Sequence, residues 1–373
     1  MSKVLVTGSK GFIGRNLVTA LKRHDELAVE EFDSSMTADN LAAMLPGCKV
    51  VYHLAGVNRP ENETDFESVN KGLTQTLVDL LSQSDDKPLI VFSSSTQAQI
   101  DNPYGRSKKA AEDVLIQANK DCGLPIAIYQ LPGVFGKWSR PNYNTVVATF
   151  CHNIAHGKEI SISDPTRELE LAYVDDVVTA FVSHLAGENK STGDPFATVQ
   201  KTHTVTLGDL ADRIQKIHES RETLHLPDVG DELNQCLYPT YLSFVENDAW
   251  AKPVQLRTDD RGWLFELIKS PHFGQIFVST TKPGITRGNH YHDSKIEKFC
   301  LIQGRGMIRF RHVDSADVIE YPVDDQQIRV VDIPPGFTHS IENVGDAEMI
   351  VLFWASEIFD PNVPDTHWEP VLQ

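Results

Sequence analysis

The 373-residue sequence is poor in cysteine and has no long hydrophobic run. Its thiols are scattered, odd in number and never spaced as a CxxC pair; they are Cys48, Cys122, Cys151, Cys236 and Cys300. This usage indicates reduced thiols and argues against a disulfide framework or a cysteine-based zinc site. No apolar stretch approaches the ~20 residues that cross a bilayer. Residues 1–10 enter a strand-like run at once, which predicts no signal peptide and a cytoplasmic location.

Basic residues are outnumbered as well. The chain has 34 Lys and Arg against 52 Asp and Glu, and its formal net charge is −18. A surface that binds nucleic acid must neutralise phosphates, so neither nucleic acid nor a membrane surface is expected as a partner. Hydrophobic residues at 40% and charged residues at 23% are typical of a globular chain, and the length suffices for two cores.

The first two thirds of the chain alternate short apolar runs with helix-like stretches. Strand-like runs occupy residues 4–6, 50–52, 89–92 and 126–129, and helical periodicity occupies 73–81 and 110–118. This alternation predicts an α/β domain, a Rossmann-like doubly wound parallel sheet with crossover helices.

The pattern changes after Pro253. Apolar runs at residues 275–278, 307–310, 328–331 and 349–354 follow one another at short intervals, separated by Gly, Pro and Asp. Such spacing without intervening helices predicts an all-β sandwich or barrel. The boundary is expected within residues 226–253, which gives two domains at 1–246 and 252–373.

The turn after the first strand carries three glycines at GxxGxxG spacing. Glycines between a strand and an amphipathic helix let the backbone approach a pyrophosphate, which then lies at the helix N-terminus. The alternative is an ordinary strand–helix turn, but the position at the start of an α/β domain favours dinucleotide binding. The residues predicted to bind the cofactor here are Gly8, Lys10, Gly11, Phe12, Ile13 and Gly14.

A YxxxK pair, Tyr104 and Lys108, follows a serine triplet at residues 93–95. Asn102 is a suitable N-cap and Pro103 a suitable first helical residue. Tyr104 is therefore predicted to open a helix, with Lys108 one turn later on the same face. A phenol with an ordinary pKa near ~10 is a poor acid–base group at neutral pH. A neighbouring ammonium and a cationic nicotinamide would lower that pKa, and a serine hydroxyl would bind a carbonyl oxygen.

Over residues 1–245 the sequence resembles the extended short-chain dehydrogenase/reductase family. Further shared segments are residues 53–56, Asn70, residues 131–136 and residues 173–177. The resemblance implies Tyr104 as the proton donor, Lys108 as its activator and ribose ligand, and Ser95 or Ser94 as the residue that positions the carbonyl. It also implies cofactor contacts from Leu54, Ala55, Gly56 and Leu131.

Two residues favour different cofactors. Asp33, at the end of the second strand, would accept a hydrogen bond from a ribose 2′-hydroxyl and repel a 2′-phosphate, which favours NADH; a solvated loop acid is the alternative. Lys10 favours NADPH, which is the cofactor predicted here, with NADH as the alternative. Gln130 and Gly133 stand where the family commonly has Arg and Asn on the nicotinamide side.

Histidines and one glutamate recur at fixed spacing in the β-rich part. The series is Gly284, His290, His292, Glu297, Gly304, Pro334, Gly336, His339 and Asn343. Over residues 255–373 these spacings resemble both motifs of the cupin family, a double-stranded β-barrel. His290 and His292 alternate along one strand, whereas Glu297 and His339 are expected on neighbouring strands. Three imidazoles and a carboxylate suit a divalent transition metal; zinc is predicted, with nickel, iron, manganese or a metal-free cupin as alternatives.

Residues 259–266 and 282–291 are similar to the sugar-nucleotide 3,5-epimerase family, in which an Arg-Gly pair precedes a His-Tyr pair. In that family the histidine is a catalytic base in a metal-free site. Because His290 belongs to the predicted metal shell here, the base for C3 deprotonation is left unassigned. Arg261 and Arg287 are candidates for phosphate contacts with the substrate, or are ordinary surface arginines.

A reductase followed by a cupin resembles the CapF-type capsular polysaccharide enzymes of the UDP-N-acetyl-L-fucosamine pathway. Residues 57–60, 99–105 and 310–313 carry this whole-chain resemblance. It implies C3 epimerisation of a UDP-2-acetamido-2,6-dideoxy-4-hexulose in the cupin domain. NADPH-dependent reduction of the C4 ketone would follow, giving a UDP-N-acetyl-L-talosamine-type product for capsule or O-antigen synthesis.

Three other functions stay open. The first is a single-function 4-keto sugar-nucleotide reductase with a non-catalytic cupin for binding or dimerisation. The second is a nucleotide-sensing regulator, against which the intact Tyr104 and Lys108 argue. The third is a cupin dioxygenase, which would require iron.

The reductase resemblance also implies a homodimer, paired through the helices that carry Asn70 and Tyr104. Apolar residues repeat at helical spacing along both; they are Leu73, Leu77, Leu80, Leu81, Ala111, Val114, Leu115 and Ala118. They suffice for an inner and an outer stripe, or they all face the chain's own sheet. Cupins also tend to dimerise, so either domain could hold the dimer.

Overall fold

The computed structural model describes residues 1–57, 66–84, 87–143, 145–186 and 194–373, with residues 67–69 described by their backbone alone. Of the segment 57–60, only Val57 lies within these residues. The chain divides into two compact units. The first contains Met1–Ile214 and Gln235–Val245, and the second contains Gln215–Asn234 and Glu246–Gln373. The domain limits 1–246 and 252–373 remain a proposal.

The first unit is built around a parallel sheet. In chain order the elements are β1 (Ser2–Thr7), α1 (Phe12–Leu21), β2 (Leu27–Phe32), α2 (Ala38–Met44), β3 (Cys48–His53), α3 (Gly72–Ser82), β4 (Leu89–Ser95), α4 (Pro103–Cys122), β5 (Ile126–Leu131), β6 (Gly133–Phe135), α5 (Val146–Ala155), β7 (Glu168–Tyr173), α6 (Val174–Val182), β8 (Phe196–Ala197), β9 (His203–Thr206), α7 (Leu207–Thr223) and α8 (Glu232–Leu242). Short helical turns occupy Phe66–Lys71, Thr96–Gln99 and Ser183–Leu185. Parts of α7 and α8 belong to the second unit, as does a short helical turn at Asn247–Ala249.

The main sheet has the strand order β2-β1-β3-β4-β5-β8, and every neighbouring pair is parallel. Both of its faces are covered, as a parallel sheet requires. One core cluster includes Leu77 from α3 and Leu115 from α4, and the other includes Leu17 from α1 and Phe181 from α6. The carboxyl ends of the parallel strands therefore share one edge, where doubly wound sheets bind their ligands.

The apolar residues of α3 and α4 face this core. Those buried in it are Leu77, Leu81, Ala111, Leu115 and Ala118, and those packed half-buried against it are Leu73, Leu80 and Val114. The five buried residues therefore pack within the chain itself. Of the eight apolar residues named here, only the three half-buried ones leave apolar surface for a second copy. The homodimer stays a prediction.

The second unit contains two antiparallel sheets. Its strands are β10 (Arg257–Asp259), β11 (Gly262–Ser270), β12 (Gly274–Thr281), β13 (Thr286–Tyr291), β14 (Glu297–Gln303), β15 (Arg305–His312), β16 (Val318–Asp324), β17 (Val330–Ile333), β18 (Phe337–Asn343), β19 (Met349–Ala355) and β20 (His367–Trp368). The sheet orders are β10-β11-β12-β19-β14-β17 and β16-β15-β18-β13-β20. Aromatic and aliphatic side chains such as Phe299, Phe310 and Phe353 form its core.

The predicted fold class is confirmed: a parallel α/β sheet is followed by antiparallel sheets that are consistent with a β-barrel. One predicted strand starts late, at Val330 instead of Ile328. The Asp324 side chain accepts hydrogen bonds from the backbone N–H groups of Gln326 and Gln327 and holds a turn just before it. Among the residues that the structure describes, no helix is both long and apolar enough to span a bilayer.

Candidate functional site

The glycine turn between β1 and α1 leaves no room for side chains. Gly8 has a φ of +69°, and a Cβ atom there would lie 2.7 Å from the backbone nitrogen of Ala55. A Cβ atom on Gly14 would lie 2.1 Å from the carbonyl oxygen of Gly8. Bare backbone and the N-terminus of α1 thus face a cavity of about 860 Å³. Such an arrangement fits the pyrophosphate of a dinucleotide.

Most of the predicted reductase residues line this one cavity. They are Gly8, Lys10, Gly11, Phe12, Ile13, Gly14, Leu54, Gly56, Ser95, Tyr104, Lys108 and Leu131. Two do not line it: Ala55 packs its backbone beneath Gly8, and Asp33 reaches the turn through Lys10.

Sequence reasoning missed several other lining residues, namely Arg15, Gln97, Trp138, Arg140 and Tyr143. The guanidinium carbons of Arg15 and Arg140 each lie 4.9 Å from a ring centroid, that of Trp138 and that of Tyr143 respectively. Arg15 lies in α1, next to the glycine turn. Gln97 follows the carboxyl end of β4, and Trp138, Arg140 and Tyr143 follow that of β6. This position was the available signal, because ligand-binding loops leave a doubly wound sheet there.

Lys10 and Asp33 contact each other, although they favour different cofactors. The Lys10 Nζ lies 2.6 Å from a carboxylate oxygen of Asp33. The other oxygen accepts hydrogen bonds from the backbone N–H and the hydroxyl of Ser35, at 2.8 and 2.6 Å. The bond from Lys10 and those from Ser35 hold the pKa of Asp33 well below its usual range. One ion pair therefore stands at the end of β2, where the adenosine ribose of a dinucleotide is bound in this fold.

A chain of hydrogen bonds below the turn fixes the tautomer of His53. The Thr74 hydroxyl donates to the carbonyl oxygen of Asn70, so it accepts from His53 Nε2 at 2.9 Å. His53 Nδ1 then accepts from the Thr7 hydroxyl at 2.9 Å, which itself accepts the backbone N–H of Ala55. Burial lowers the pKa of this histidine to about 3, with a smaller effect from Lys108. His53, on β3, is therefore neutral and links this strand to β1 and α3 by hydrogen bonds.

Tyr104 lies in the first turn of α4, as predicted from its sequence neighbours. Asn102 caps the helix by accepting from the backbone N–H of Gly105 at 2.7 Å, and Pro103 is its first residue. Tyr104 and Ser95 line the same cavity. Burial raises the pKa of the Tyr104 phenol to about 12, and the Ser95 side chain opposes this increase. The expected lowering of the Tyr104 pKa is therefore absent, because burial outweighs the effect of Ser95.

The hydroxyls of Ser94 and Ser95 have different partners. Ser94 donates to a carboxylate oxygen of Glu112 at 2.5 Å, whereas the Ser95 side chain lies beside Tyr104 and lowers the pKa of its phenol. Ser95 also accepts the backbone N–H of Gln97 at 3.2 Å. Of the two serines that the resemblance allows, Ser95 is the one whose hydroxyl adjoins the phenol.

Lys108 is buried one turn beyond Tyr104, with 5% of its surface exposed. Its Nζ donates to the carbonyl oxygen of Ser93 at 2.9 Å. A Cβ atom on Gly56 would lie 3.3 Å from this Nζ, so glycine leaves space there for the ammonium. Burial lowers the pKa of Lys108 to about 8, and the charge of Glu112 partly opposes this.

Glu112 links β4, β5 and α4 below the site. Its side chain is fully buried, and one carboxylate oxygen accepts from both Ser94 and Gln130, the latter at 2.9 Å. The Lys109 Nζ lies 3.6 Å from the other oxygen. Gln130, which departs from the common family residue, thus has a structural partner in this chain. No sequence pattern pointed to Glu112 beyond its place one turn after Lys108.

The second unit brings the four predicted metal ligands together. One nitrogen or oxygen atom from each of His290, His292, Glu297 and His339 lies within 4.8 Å of the others. His339 lies on a strand next to that of His290, as expected, because β13 pairs with β18 and places the two residues opposite each other. Glu297 does not lie on a neighbouring strand, which corrects that part of the expectation. Glu297 begins β14 in the six-stranded sheet and His339 belongs to β18 in the five-stranded sheet, so the cluster bridges two sheets.

The state of these side chains fits a divalent metal. The Nε2 atoms of His292 and His339 are buried without a hydrogen-bond partner among the described residues. They lie 3.5 and 3.6 Å from the two oxygens of Glu297. Burial lowers the pKa of His290 to about 4, which leaves its imidazole neutral. Burial alone would raise the pKa of Glu297, but the two histidines beside it hold this pKa well below its usual range. Neutral imidazoles and a carboxylate are the forms that bind zinc.

The two predicted phosphate-binding arginines contact one acid. Arg261 donates to the Asp259 carboxylate through Nε at 2.9 Å, and Arg287 Nη2 lies 3.8 Å from the same group. Arg287 also donates to the carbonyl oxygen of Thr280 and the hydroxyl of Thr281. Arg261 is exposed and Arg287 is largely buried, so only Arg261 resembles an ordinary surface arginine. Their contact with phosphate stays a prediction.

Comparison with known proteins covers both units. Residues 4–197 match the NAD dependent epimerase/dehydratase family, and residues 257–367 match the polysaccharide biosynthesis C-terminal domain. A relative from Pseudomonas aeruginosa, UDP-2-acetamido-2,6-beta-L-arabino-hexul-4-ose reductase, is 40% identical over 98% of each chain.

Two solved structures resemble the whole chain. The capsular polysaccharide assembling protein CapF from Staphylococcus aureus superposes with a TM-score of 0.92 at 41% identity and covers 100% of both chains. A structure of CapF with the inhibitor 3-isopropenyl-tropolone gives a TM-score of 0.87 at 37% identity, over 99% of this chain and 100% of that one.

Proposed function

Because this chain belongs to the NAD-dependent epimerase/dehydratase family and, over its whole length, to the CapF-type enzymes, we propose that it is a two-site UDP-sugar enzyme. Its substrate would be a UDP-2-acetamido-2,6-dideoxy-4-hexulose. The second unit would epimerise C3, and the first would reduce the C4 ketone with NADPH. The product would be of the UDP-N-acetyl-L-talosamine type, for capsule or O-antigen synthesis.

The observation that carries the reductase assignment is that Ser95, Tyr104 and Lys108 line one cavity together with the glycine turn. A bound nicotinamide dinucleotide would supply the hydride to C4. Burial keeps the Tyr104 phenol protonated at neutral pH, so it can donate its proton to the C4 oxygen as the ketone is reduced. Ser95 would hold that oxygen beside the phenol. The ammonium of Lys108 would favour the phenolate that remains.

The cofactor would lie with its pyrophosphate on the glycine turn and its adenosine ribose near Lys10 and Asp33. We propose NADPH over NADH, because the Lys10 ammonium would attract a 2′-phosphate and already neutralises Asp33. NADH is the alternative, since Asp33 would accept a 2′-hydroxyl if Lys10 swung away.

Epimerisation at C3 is chemically coupled to the same ketone. The C3 proton beside a C4 ketone is acidic because the resulting enolate spreads its charge onto oxygen. A divalent metal, zinc in this proposal, held by His290, His292, Glu297 and His339, would supply a Lewis acid beside that oxygen. Arg261 and Arg287 would contact the substrate phosphates. One carbonyl group would thus serve both reactions.

The decisive experiment is incubation of the 4-keto UDP-sugar with the full chain in deuterated water, with and without NADPH, followed by NMR of the products. We expect deuterium at C3 without NADPH, and a reduced, deuterated product with NADPH. Reduction without any C3 exchange would leave only the reductase half of the proposal. Absence of both reactions from folded protein would refute the whole.

The second candidate is a single-function 4-keto reductase with a non-catalytic cupin domain. The name of the Pseudomonas aeruginosa relative, a reductase, favours it. In that case deuterium exchange at C3 would be absent even with the metal cluster loaded.

We further propose that the enzyme is a cytoplasmic homodimer. The half-buried residues Leu73, Leu80 and Val114 on α3 and α4 offer the apolar surface for it. Sedimentation of the full chain at micromolar concentration should give twice the chain mass. A single species near 41.6 kDa would contradict the dimer.

A further inference from the structure

The last part of the chain, residues 365–371 (the C-terminal segment), is built into the surroundings of the metal-binding cluster. Its strand β20 pairs with β13, which places Trp368 opposite His290. The backbone N–H of Glu369 donates to the carbonyl oxygen of Asn289 at 2.9 Å. Its carbonyl oxygen accepts from the hydroxyl of Thr338, the residue before His339. The segment therefore contacts both strands that carry histidine ligands.

Asp365 fixes the orientation of His292 through its backbone. The carbonyl oxygen of Asp365 lies 2.6 Å from Nδ1 of His292. Because a carbonyl oxygen can only accept, Nδ1 must carry a proton, and in the neutral imidazole Nε2 then presents its lone pair. That Nε2 is the buried atom without a protein partner, 3.5 Å from Glu297. A single hydrogen bond thus selects the tautomer that can ligate a metal through Nε2.

The side chain of Asp365 holds the loop between two ligands. One carboxylate oxygen accepts from the backbone N–H of Asp293 at 2.8 Å. The other accepts from the backbone N–H groups of Ser294 and Lys295, at 2.9 and 2.8 Å, and from the Ser294 hydroxyl. These residues connect His292 to Glu297. The Asp365 carboxylate therefore holds the loop that separates His292 from Glu297, although Asp365 is distant from both residues in sequence.

A buried arginine anchors the other end of the segment. Arg311, with 2% of its surface exposed, donates to the carbonyl oxygens of Pro370 and Val371 at 2.9 and 3.1 Å. It also donates to the Glu369 carboxylate at 2.7 Å. A buried guanidinium needs such partners, because an unpaired buried charge is strongly unfavourable. The segment is consequently fixed at both ends.

We propose that Asp365 is a positioning residue of the metal centre, which orients His292 and the 293–295 loop so that the cluster is formed before metal arrives. This inference rests on the metal centre of the proposed function. Outer residues of this kind commonly contribute about 10- to 100-fold to metal affinity.

The test is the zinc affinity of the metal-free full chain, measured by competition with a chromophoric chelator. Asp365→Ala should bind zinc about 10- to 100-fold more weakly than the wild type, and Asp365→Asn, which retains one carbonyl oxygen, should fall between them. The matched control is Asp360→Ala, which removes an exposed carboxylate that caps only its own turn. NMR of the imidazole nitrogens provides a second measurement, in which His292 of the metal-free wild type should be protonated at Nδ1. Asp365→Ala keeps the backbone carbonyl but loses the side-chain bonds that hold it beside His292, so His292 should become a mixture of the two tautomers.

The outcomes separate the inference from its premise. If the wild type takes up no zinc, the proposed metal centre fails. If the wild type binds zinc and Asp365→Ala binds it equally tightly with the same His292 tautomer, the positioning role is refuted and the metal centre stands. Should Asp365→Ala not fold, Asp365→Asn decides by the same two measurements.

Discussion

The two sites of this chain are built in opposite ways. The first is an open cavity bounded on one side by backbone, where Gly8 and Gly14 exclude side chains. The second is a closed cluster in which His292, Glu297 and His339 are at most 8% exposed and converge on one point. A large ligand with phosphates is recognised by removing side chains, whereas a single ion is recognised by concentrating them. The same chain can therefore hold two chemistries that do not share residues.

The largest expected effect tests that separation from the reductase side. Tyr104→Phe removes the proton donor and should lower the reduction rate by about 10²- to 10⁴-fold, while deuterium exchange at C3 continues. NADPH oxidation and NMR of the exchanged sugar measure the two reactions. Tyr321→Phe, at an exposed tyrosine of the second unit, is the control. Loss of both reactions in a folded Tyr104→Phe variant would refute the division of labour.

The converse change acts on the closed cluster. His290→Ala combined with His292→Ala should empty the metal centre and stop C3 exchange, because half of the ligand set is gone. Reduction of an already epimerised ketone should be largely unchanged. Metal analysis and the exchange assay report the result, with the exposed His272→Ala as the matched control. Stoichiometric metal in the double variant would show that the ligand assignment is wrong.

The next prediction concerns the charge of Lys108 in the first site, which the dependence of the reduction rate on pH should report. The ammonium of Lys108, with a pKa of about 8, should lose its proton above that pH, so reduction should slow on the alkaline side. Glu112→Gln removes the negative charge that raises this pKa, and the decline should begin at lower pH. A charge interaction of about 1 kcal/mol corresponds to roughly a five-fold lower rate on that limb.

Asp113→Asn is the control for Glu112→Gln, because the neighbouring carboxylate is exposed and pairs with Lys109. An unchanged profile in Glu112→Gln would mean that the alkaline limb does not report Lys108. A shift in both variants would indicate a general surface-charge effect.

The smallest expected effect concerns the cofactor. Lys10→Ala should lower kcat/KM for NADPH by roughly five-fold, since an exposed charge contributes about 1 kcal/mol, and should improve the use of NADH by freeing Asp33. Steady-state kinetics with both cofactors measure this. Lys22→Ala, which removes an exposed lysine paired with Glu31, is the control. A wild-type preference for NADH would instead mean that Asp33 governs cofactor choice.

The sequence predicted the family and fold class correctly, and within each unit the structure brings together the residues of the candidate cluster, for a common physical reason. The glycine turn and the Tyr104–Lys108 pair are each encoded within a few consecutive residues, where helix and turn geometry decide what meets. The histidine and glutamate spacing worked similarly for His339, which lies opposite His290, but it misplaced Glu297, which begins a strand of the other sheet. Spacing along a chain does not reveal which of two facing sheets a strand joins.

Longer-range contacts lay beyond sequence reasoning. Lys10 and Asp33 looked like competing signals until the structure placed them 2.6 Å apart. The choice between Ser94 and Ser95 depended on where Glu112 lies, on another element. The role of Asp365 depends on a contact 73 residues away in sequence, and its loop position has no local pattern. Each of these is set by tertiary packing, which a local pattern does not encode.

The buried, neutral His53 has a consequence for the stability of the first unit in acid. In the fold its pKa is about 3, against an ordinary value of 6.5, so between these values the unfolded chain binds a proton that the folded chain rejects. The free energy of unfolding of the first unit therefore decreases as the pH falls below 6.5. Acid should loosen the attachment of β1 to α3, and with it the dinucleotide turn, even where the carboxylates remain ionised.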